Sequence, residues 1–328
     1  MVGWGMERWL VLGGTAWLGR EIAREALARG HEVTCLARGE SGSVVEGAQW
    51  VRADRDDADA YDDVEGPWDA VVDVARQPGH VRSALTALGA DARRWTFVST
   101  GNVYADPALP MHEDDPLRPP AVGDTVDPDQ YGEGKVACEQ AVRAHPGALV
   151  LRAGLIAGPG DPSDRFGYWP ARLGSAGEDD VLVPDPPDGR CQVVDVRDAA
   201  AFAVDATGRS ITGVLNLAGE SLPLGDALVR IAAAVGHRGR LVPVHPARLE
   251  ELGVQPWLGE RSLPLWLPEE DGGMVRMDTS HAGHAGLRRR SLEETAVDTL
   301  ADERARGIDR PRRAGLTRAE ERELLALL

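Results

Sequence analysis

Apolar positions along the chain fall into short, nearly unbroken runs separated by stretches in which they recur every three or four residues. Trp9 to Leu12 is such a run, followed by a glycine turn and by Glu21 to Ala28, whose helical period stops at Gly30. His31 to Leu36 is the next run, and Gln49 to Ala53, Asp69 to Val74, Arg94 to Ser99 and Leu149 to Arg152 repeat it. Helical stretches lie between them at Val81 to Leu88 and from about Tyr131 to Ala144. Strands alternating with helices predict an α/β chain built on a doubly wound parallel sheet. The runs are apolar on both faces (Ala70-Val71-Val72, Val150-Leu151), as in strands covered by helices on each side.

Two segments break this rhythm. Residues 105–129 carry Pro107, Pro110, Pro116, Pro119, Pro120 and Pro128 with no helical period, which predicts a long loop. Beyond Arg152 come Gly158-Pro159-Gly160-Asp161-Pro162 and Val183-Pro184-Asp185-Pro186-Pro187, before short strands resume at Gln192 to Val196 and Val214 to Leu217. The chain therefore divides into a sheet domain over 8–155 with return segments near 190–220, and a smaller C-terminal lobe over 156–189 and 221–300. Residues 301–328 read as a basic linker with a terminal helix. Arg304, Arg306, Arg310, Arg312 and Arg313 have the look of a solvated charge run, and Thr317-Arg318-Ala319-Glu320 is a capping-box pattern.

Composition narrows the partners. With 328 residues, 43% of them apolar, a sizeable core can form. The 36 basic against 53 acidic residues give a net charge of -17, which repels phosphate backbones and anionic bilayers. A small-molecule substrate is expected, and no nucleic acid. Cys35, Cys138 and Cys191 lie far apart with no CxxC spacing, which fits a reducing, cytoplasmic setting. Met1 to Glu7 holds no secretory apolar segment and no later run reaches the roughly 18 apolar residues of a span, so no membrane is expected. His281, His284 and Asp278 lack a helical HExxH setting, and no metal is expected there.

Gly13-Gly14-Thr15-Ala16-Trp17-Leu18-Gly19 joins a strand to a helix, where a pyrophosphate finds backbone N–H groups and the positive end of a helix dipole. Gly13 permits the tight turn, Gly19 lets helix approach strand, and Ala16 takes the position that is usually a middle glycine. The second run ends Leu36-Ala37-Arg38-Gly39, with Arg where an acid would accept a ribose 2'-hydroxyl. Arginine there accommodates a 2'-phosphate, so NADP(H) is favoured over NAD(H). Tyr131 and Lys135 stand one helical turn apart on one face, and an ammonium beside a phenol stabilises the tyrosinate, which is general acid/base chemistry. Of the 36 basic residues only one, Lys135, is lysine. A compact point charge on a flexible stem is required there.

Gly13xxAla16xxGly19, then Ser99-Thr100-Gly101-Asn102-Val103-Tyr104, then Tyr131xxxLys135, resemble the extended short-chain dehydrogenase/reductases, also called the NAD-dependent epimerase/dehydratase family, over roughly residues 8 to 218. The resemblance implies a Rossmann-like fold, a homodimer, Thr100 bonding the reacting oxygen, and Lys135 also holding the nicotinamide ribose. It further implies Asp54 near the adenine, and Val74, Ala75 and Gly154 along the cofactor. Dehydratases of the family carry Asp-Glu after that Thr; here Gly101 and Asn102 stand there, so dehydration is disfavoured and Asn102 becomes a substrate contact. Leu155 replaces an Asn usual in nucleotide-sugar epimerases, and Cys191 takes a usual Arg position with Arg190 beside it. Arg165, Tyr168 and Trp169, just past the sheet's carboxyl edge, are candidate substrate contacts. The reading favoured is an NADP(H)-linked reductase or dehydrogenase of a carbonyl or secondary alcohol. A redox-neutral epimerase working through a transient ketone and a non-catalytic cofactor-binding scaffold are the alternatives.

Overall fold

A computed structural model describes residues 5–328. Part of the N-terminal stretch read above for a secretory segment, Met1 to Trp4, lies outside the described residues. β1 (Arg8–Leu12), α1 (Trp17–Ala28), β2 (Glu32–Leu36), β3 (Gln49–Val51), β4 (Ala70–Asp73), α2 (Pro78–Leu88), β5 (Trp95–Thr100), α3 (Tyr131–Val142) and β6 (Ala148–Ala153) follow the predicted alternation. After them come β7 (Leu155–Ala157), α4 (Tyr168–Ala176), β8 (Val181–Pro184), β9 (Arg190–Asp195), α5 (Val196–Gly208) and β10 (Gly213–Leu217). The remainder comprises β11 (Ser221–Pro223), α6 (Leu224–Ala234), β12 (Leu241–Val244), α7 (Pro246–Glu251), α8 (Ser280–His284), α9 (Leu292–Arg306) and α10 (Arg318–Leu325).

Seven parallel strands form the central sheet in the order β10-β6-β5-β4-β1-β2-β3. The chain builds outward from β1 to β3, then returns to β4 on the other side of β1, so strand order reverses between β1 and β4. Ligands of open α/β sheets bind at the carboxyl ends of the strands beside such a reversal. Both faces are buried, as the continuous apolar runs require. Trp9 and Val11 pack against Ile22 of α1 and Ala203 of α5, while Leu10 and Leu12 share the opposite layer with Val81 of α2 and Cys138 of α3. Among the described residues no helix is long and apolar enough to cross a membrane.

The second lobe has its own core around Trp169, Leu173, Leu228, Trp266 and Leu324. β9 joins a small sheet in the order β11-β9-β7, so only α5 and β10 of the expected return segment rejoin the main sheet. The terminal segment is not a solvated linker. Arg310 and Arg312 pair with Asp164 and Glu303, which are 3% and 1% exposed. Buried carboxylates demand counter-charges, and the arginine run supplies them. The capping box forms as expected: the Thr317 hydroxyl accepts from Glu320 N at 3.2 Å, and Glu320 accepts from Thr317 N at 2.8 Å.

Candidate active site

The glycine turn is shaped by contact, not by flexibility alone. Gly13 has φ +96°. A Cβ on Gly19 would lie 2.2 Å from the Gly13 carbonyl oxygen, so only glycine lets α1 start this close to the end of β1. Ala16 caps α1 and its N–H donates to Gly13 O at 3.0 Å. Thr15, Ala16, Trp17 and Leu18 line a cleft of about 930 Å³ along the carboxyl edge of the sheet. It shares Thr15, Ala16, Ser41 and Val74 with an adjoining pocket of about 180 Å³ lined by Gly13, Arg38, Asp54 and Ala75. A long cleft opening into a smaller compartment across a glycine turn fits a dinucleotide. Arg38 stands half exposed at the mouth of that compartment, paired with Glu40 at 3.0 Å and Asp54 at 3.4 Å.

Thr100, Tyr131, Lys135 and Gly154 converge on the large cleft. Thr100 ends β5, and its Oγ1 accepts from Asn102 N at 3.3 Å, capping a short helical turn. Tyr131 opens α3. Lys135 is 3% exposed and its Nζ donates to Ala75 O at 2.7 Å and Val98 O at 2.6 Å, with the Phe97 ring 4.4 Å away. A single ammonium satisfies two carbonyls from neighbouring strand ends. A planar guanidinium fork does not match that geometry, which accounts physically for the one lysine.

Asn102 and Arg165 also line the cleft. Tyr168 and Trp169 do not reach it. They are 2% and 0% exposed, stack edge-on at 5.0 Å, and Trp169 Nε1 donates to Pro264 O at 2.8 Å inside the lobe core. The expectation of substrate contact is corrected for these two: α4 turns its first residues inward, where such large rings gain most by leaving water. Arg190 is likewise engaged elsewhere, donating to Ser221 Oγ at 2.7 Å and Ser221 O at 2.6 Å. Cys191 is buried.

Two features of the site went unread in the sequence. Glu139, on α3 one turn past Lys135, forms a buried pair with Arg152 of β6 at 2.9 Å and accepts from Ser99 Oγ at 2.6 Å. Its signal was present, since 131, 135 and 139 share one helical face. Gly132, between Tyr131 and Lys135, is the second. A Cβ there would lie 2.3 Å from Asn102 O, so the glycine lets the first turn of α3 close on the Thr100 segment.

The fold is shared with proteins of known structure. Similar solved structures include the Bordetella bronchiseptica enzyme WbmG in complex with NAD (TM-score 0.68, 21% identity, covering 93% of this chain and 96% of that one). They also include UDP-N-acetylglucosamine 4-epimerase from Bacillus cereus (TM-score 0.65, 16% identity, 90% and 98%). A third is UDP-glucuronic acid 4-epimerase from Bacillus cereus in complex with NAD (TM-score 0.64, 16% identity, 91% and 99%). These likenesses establish the fold. A search of curated proteins returned no match. The model of the NAD dependent epimerase/dehydratase family matches residues 9–218, spanning the glycine turn, Thr100 and the Tyr131/Lys135 pair, and the chain belongs to that family.

Proposed function

We propose that the chain is an NADP(H)-dependent reductase or dehydrogenase acting on a carbonyl or secondary alcohol of a small molecule. The observation that carries this is the convergence of Thr100, Tyr131 and Lys135 on one cleft that begins at the glycine turn. Because Thr100 Oγ1 accepts from Asn102 N, its proton remains free to donate to a substrate oxygen and fix its position. The Tyr131 phenol then exchanges a proton with that same oxygen. Lys135 is not the acid. Its ammonium is committed to Ala75 O and Val98 O, and it presents a fixed positive charge one helical turn from the phenol, stabilising any phenolate formed during turnover.

The dinucleotide, when bound, supplies or takes up the hydride. Thr15 to Leu18 would hold its diphosphate, Val74, Ala75 and Gly154 its length, Asp54 its adenosine end, and Arg38 a 2'-phosphate. Gly101 and Asn102 hold no carboxylic proton for a leaving hydroxyl, so dehydration is not proposed. The free, buried cysteines support a reducing compartment.

Epimerisation through a transient ketone is the second reading, favoured by the family and by the likeness to sugar 4-epimerases. Reduced-nicotinamide absorbance separates the two, since an epimerase produces no net change. Tyr131→Phe should abolish turnover while dinucleotide affinity stays; turnover at the wild-type rate would refute the assignment.

A further inference from the structure

The loop after β7 carries one cation into the cleft, and the molecule holds it there from several directions. Arg165 lies over the Trp257 ring at 4.8 Å, and its Nε donates to Ser163 Oγ at 3.2 Å. Among the described residues no carboxylate pairs with it, although most arginines near it are paired. The Asp161 carboxylate accepts instead from Ser163 N at 2.8 Å and Ser163 Oγ at 2.9 Å. Burial pulls the Arg165 guanidinium below its ordinary pKa, opposed by the charges of Asp161 and Tyr131. Tyr131 and Arg165 line the same cleft.

Its backbone is constrained on both sides. Asp164 sits at φ +62°, a left-handed conformation that a non-glycine residue keeps only when its surroundings enforce it. The enforcement comes from the C-terminal segment: Arg310 and Arg313 N, at 2.9 Å, both donate to the Asp164 carboxylate. Arg306 donates to Asp161 O at 3.1 Å, and Asp302 accepts from Gly160 N at 2.9 Å. From the cofactor side, Trp17 Nε1 donates to Pro159 O at 2.8 Å.

A guanidinium partly removed from water, stacked on one face and with its terminal amino groups unclaimed, is completed by an oxyanion, carboxylate or phosphate, that offers two oxygens to its parallel N–H bonds. Resting on the catalytic reading above, we propose that Arg165 receives an oxyanion of the substrate, so that the substrate is a hydroxy or keto compound bearing a carboxylate or phosphate away from the reacting carbon. Arg20, Arg24 and Arg76 also line the cleft; Arg24 is paired with Glu21, and the exposed Arg76 gives the assignment a direct rival.

The test uses the full chain saturated with its dinucleotide, at constant ionic strength set by chloride. Tryptophan fluorescence is followed during titration with malonate and, separately, with inorganic phosphate. We expect saturable binding of at least one of them, weakened about tenfold or more in R165Q. R165K, which keeps the charge without the fork, should fall between, and R76Q should bind like wild type. Malonate against phosphate identifies the anion. Undiminished binding in R165Q, transfer of the loss to R76Q, or no saturable response in wild type overturns the proposal. Dinucleotide affinity, measured first on every variant, reports folding. If no dinucleotide binds, the catalytic reading itself fails; if it binds and the anion ignores Arg165, only this inference fails.

Discussion

Glu139 and Arg152 meet at 2.9 Å with side chains 1% and 2% exposed, tying the helix that carries Tyr131 and Lys135 to the strand beside Thr100. The pair is closed off from water: Arg152 also donates to Tyr104 Oη at 3.2 Å and Glu113 O at 2.8 Å, and Ser99 completes Glu139. Breaking such a pair from one side strands a buried charge. Glu139→Ala is therefore expected to cost about 3–5 kcal/mol in urea unfolding, and Arg152→Met a comparable amount. A loss under about 1 kcal/mol would mean that water reaches the remaining charge.

Gly132→Ala tests the approach of α3 to the Thr100 segment. The new methyl has only 2.3 Å to a backbone oxygen, which cannot rotate away, so the first turn of α3 must shift and take Tyr131 with it. Misplacement of a reacting group on the scale of an ångström costs about 100-fold in rate. We expect kcat to fall by that order and stability to drop by about 1–3 kcal/mol, since a methyl forced against backbone overpacks the contact by more than the helix gains from alanine. Wild-type kcat would show that the contact is slack.

The alternation of strands and helices was legible because a strand buried on both faces must be apolar throughout, as Val71-Val72 and Val150-Leu151 are. Lys135 was legible from its singularity and its spacing to Tyr131. What the sequence does not display is which way a side chain faces once the period ends. Tyr168 and Trp169 follow a proline-rich turn beside the cleft, as a binding pair would, yet α4 directs them into the lobe core. Arg306, Arg310 and Arg312 look solvated because their partners, Asp164 and Glu303, are buried by tertiary packing that no local pattern announces. Gly132 and Gly134 inside a helix were the readable warning, since glycine there is costly unless something packs against it.

The dinucleotide preference proposed above rests on Arg38. It stands half exposed between Glu40 and Asp54, close enough to both that an added 2'-phosphate would draw it from two weak surface pairs into a charge-assisted contact. Arg38→Gln should lower NADPH affinity about tenfold, with NADH affinity nearly constant. The NADPH term should weaken with added salt in wild type and much less in the variant. Equal loss for both dinucleotides would assign Arg38 to the fold of the turn.

Asp164 makes the C-terminal clasp sensitive to acid. Burial alone would push its carboxyl up, but the bonds from Arg310 and Arg313 N and the charges of Arg310 and Arg312 outweigh it and hold the group below its ordinary value. A carboxylate with a lowered folded value stabilises the folded state fully above its unfolded pKa of about 3.9, and that contribution disappears as pH falls through the folded value. Acidification through and below that range should therefore loosen residues 303–313 before the central sheet unfolds. Hydrogen exchange or limited proteolysis of that segment against pH reads the effect. Asp164→Asn is the matched control, because asparagine tolerates the left-handed backbone at this position while carrying no charge to titrate. The variant should show the loosened segment already at neutral pH, with a flatter response to acid. A response as steep as wild type would show that Asp164 is not the group that loosens the segment.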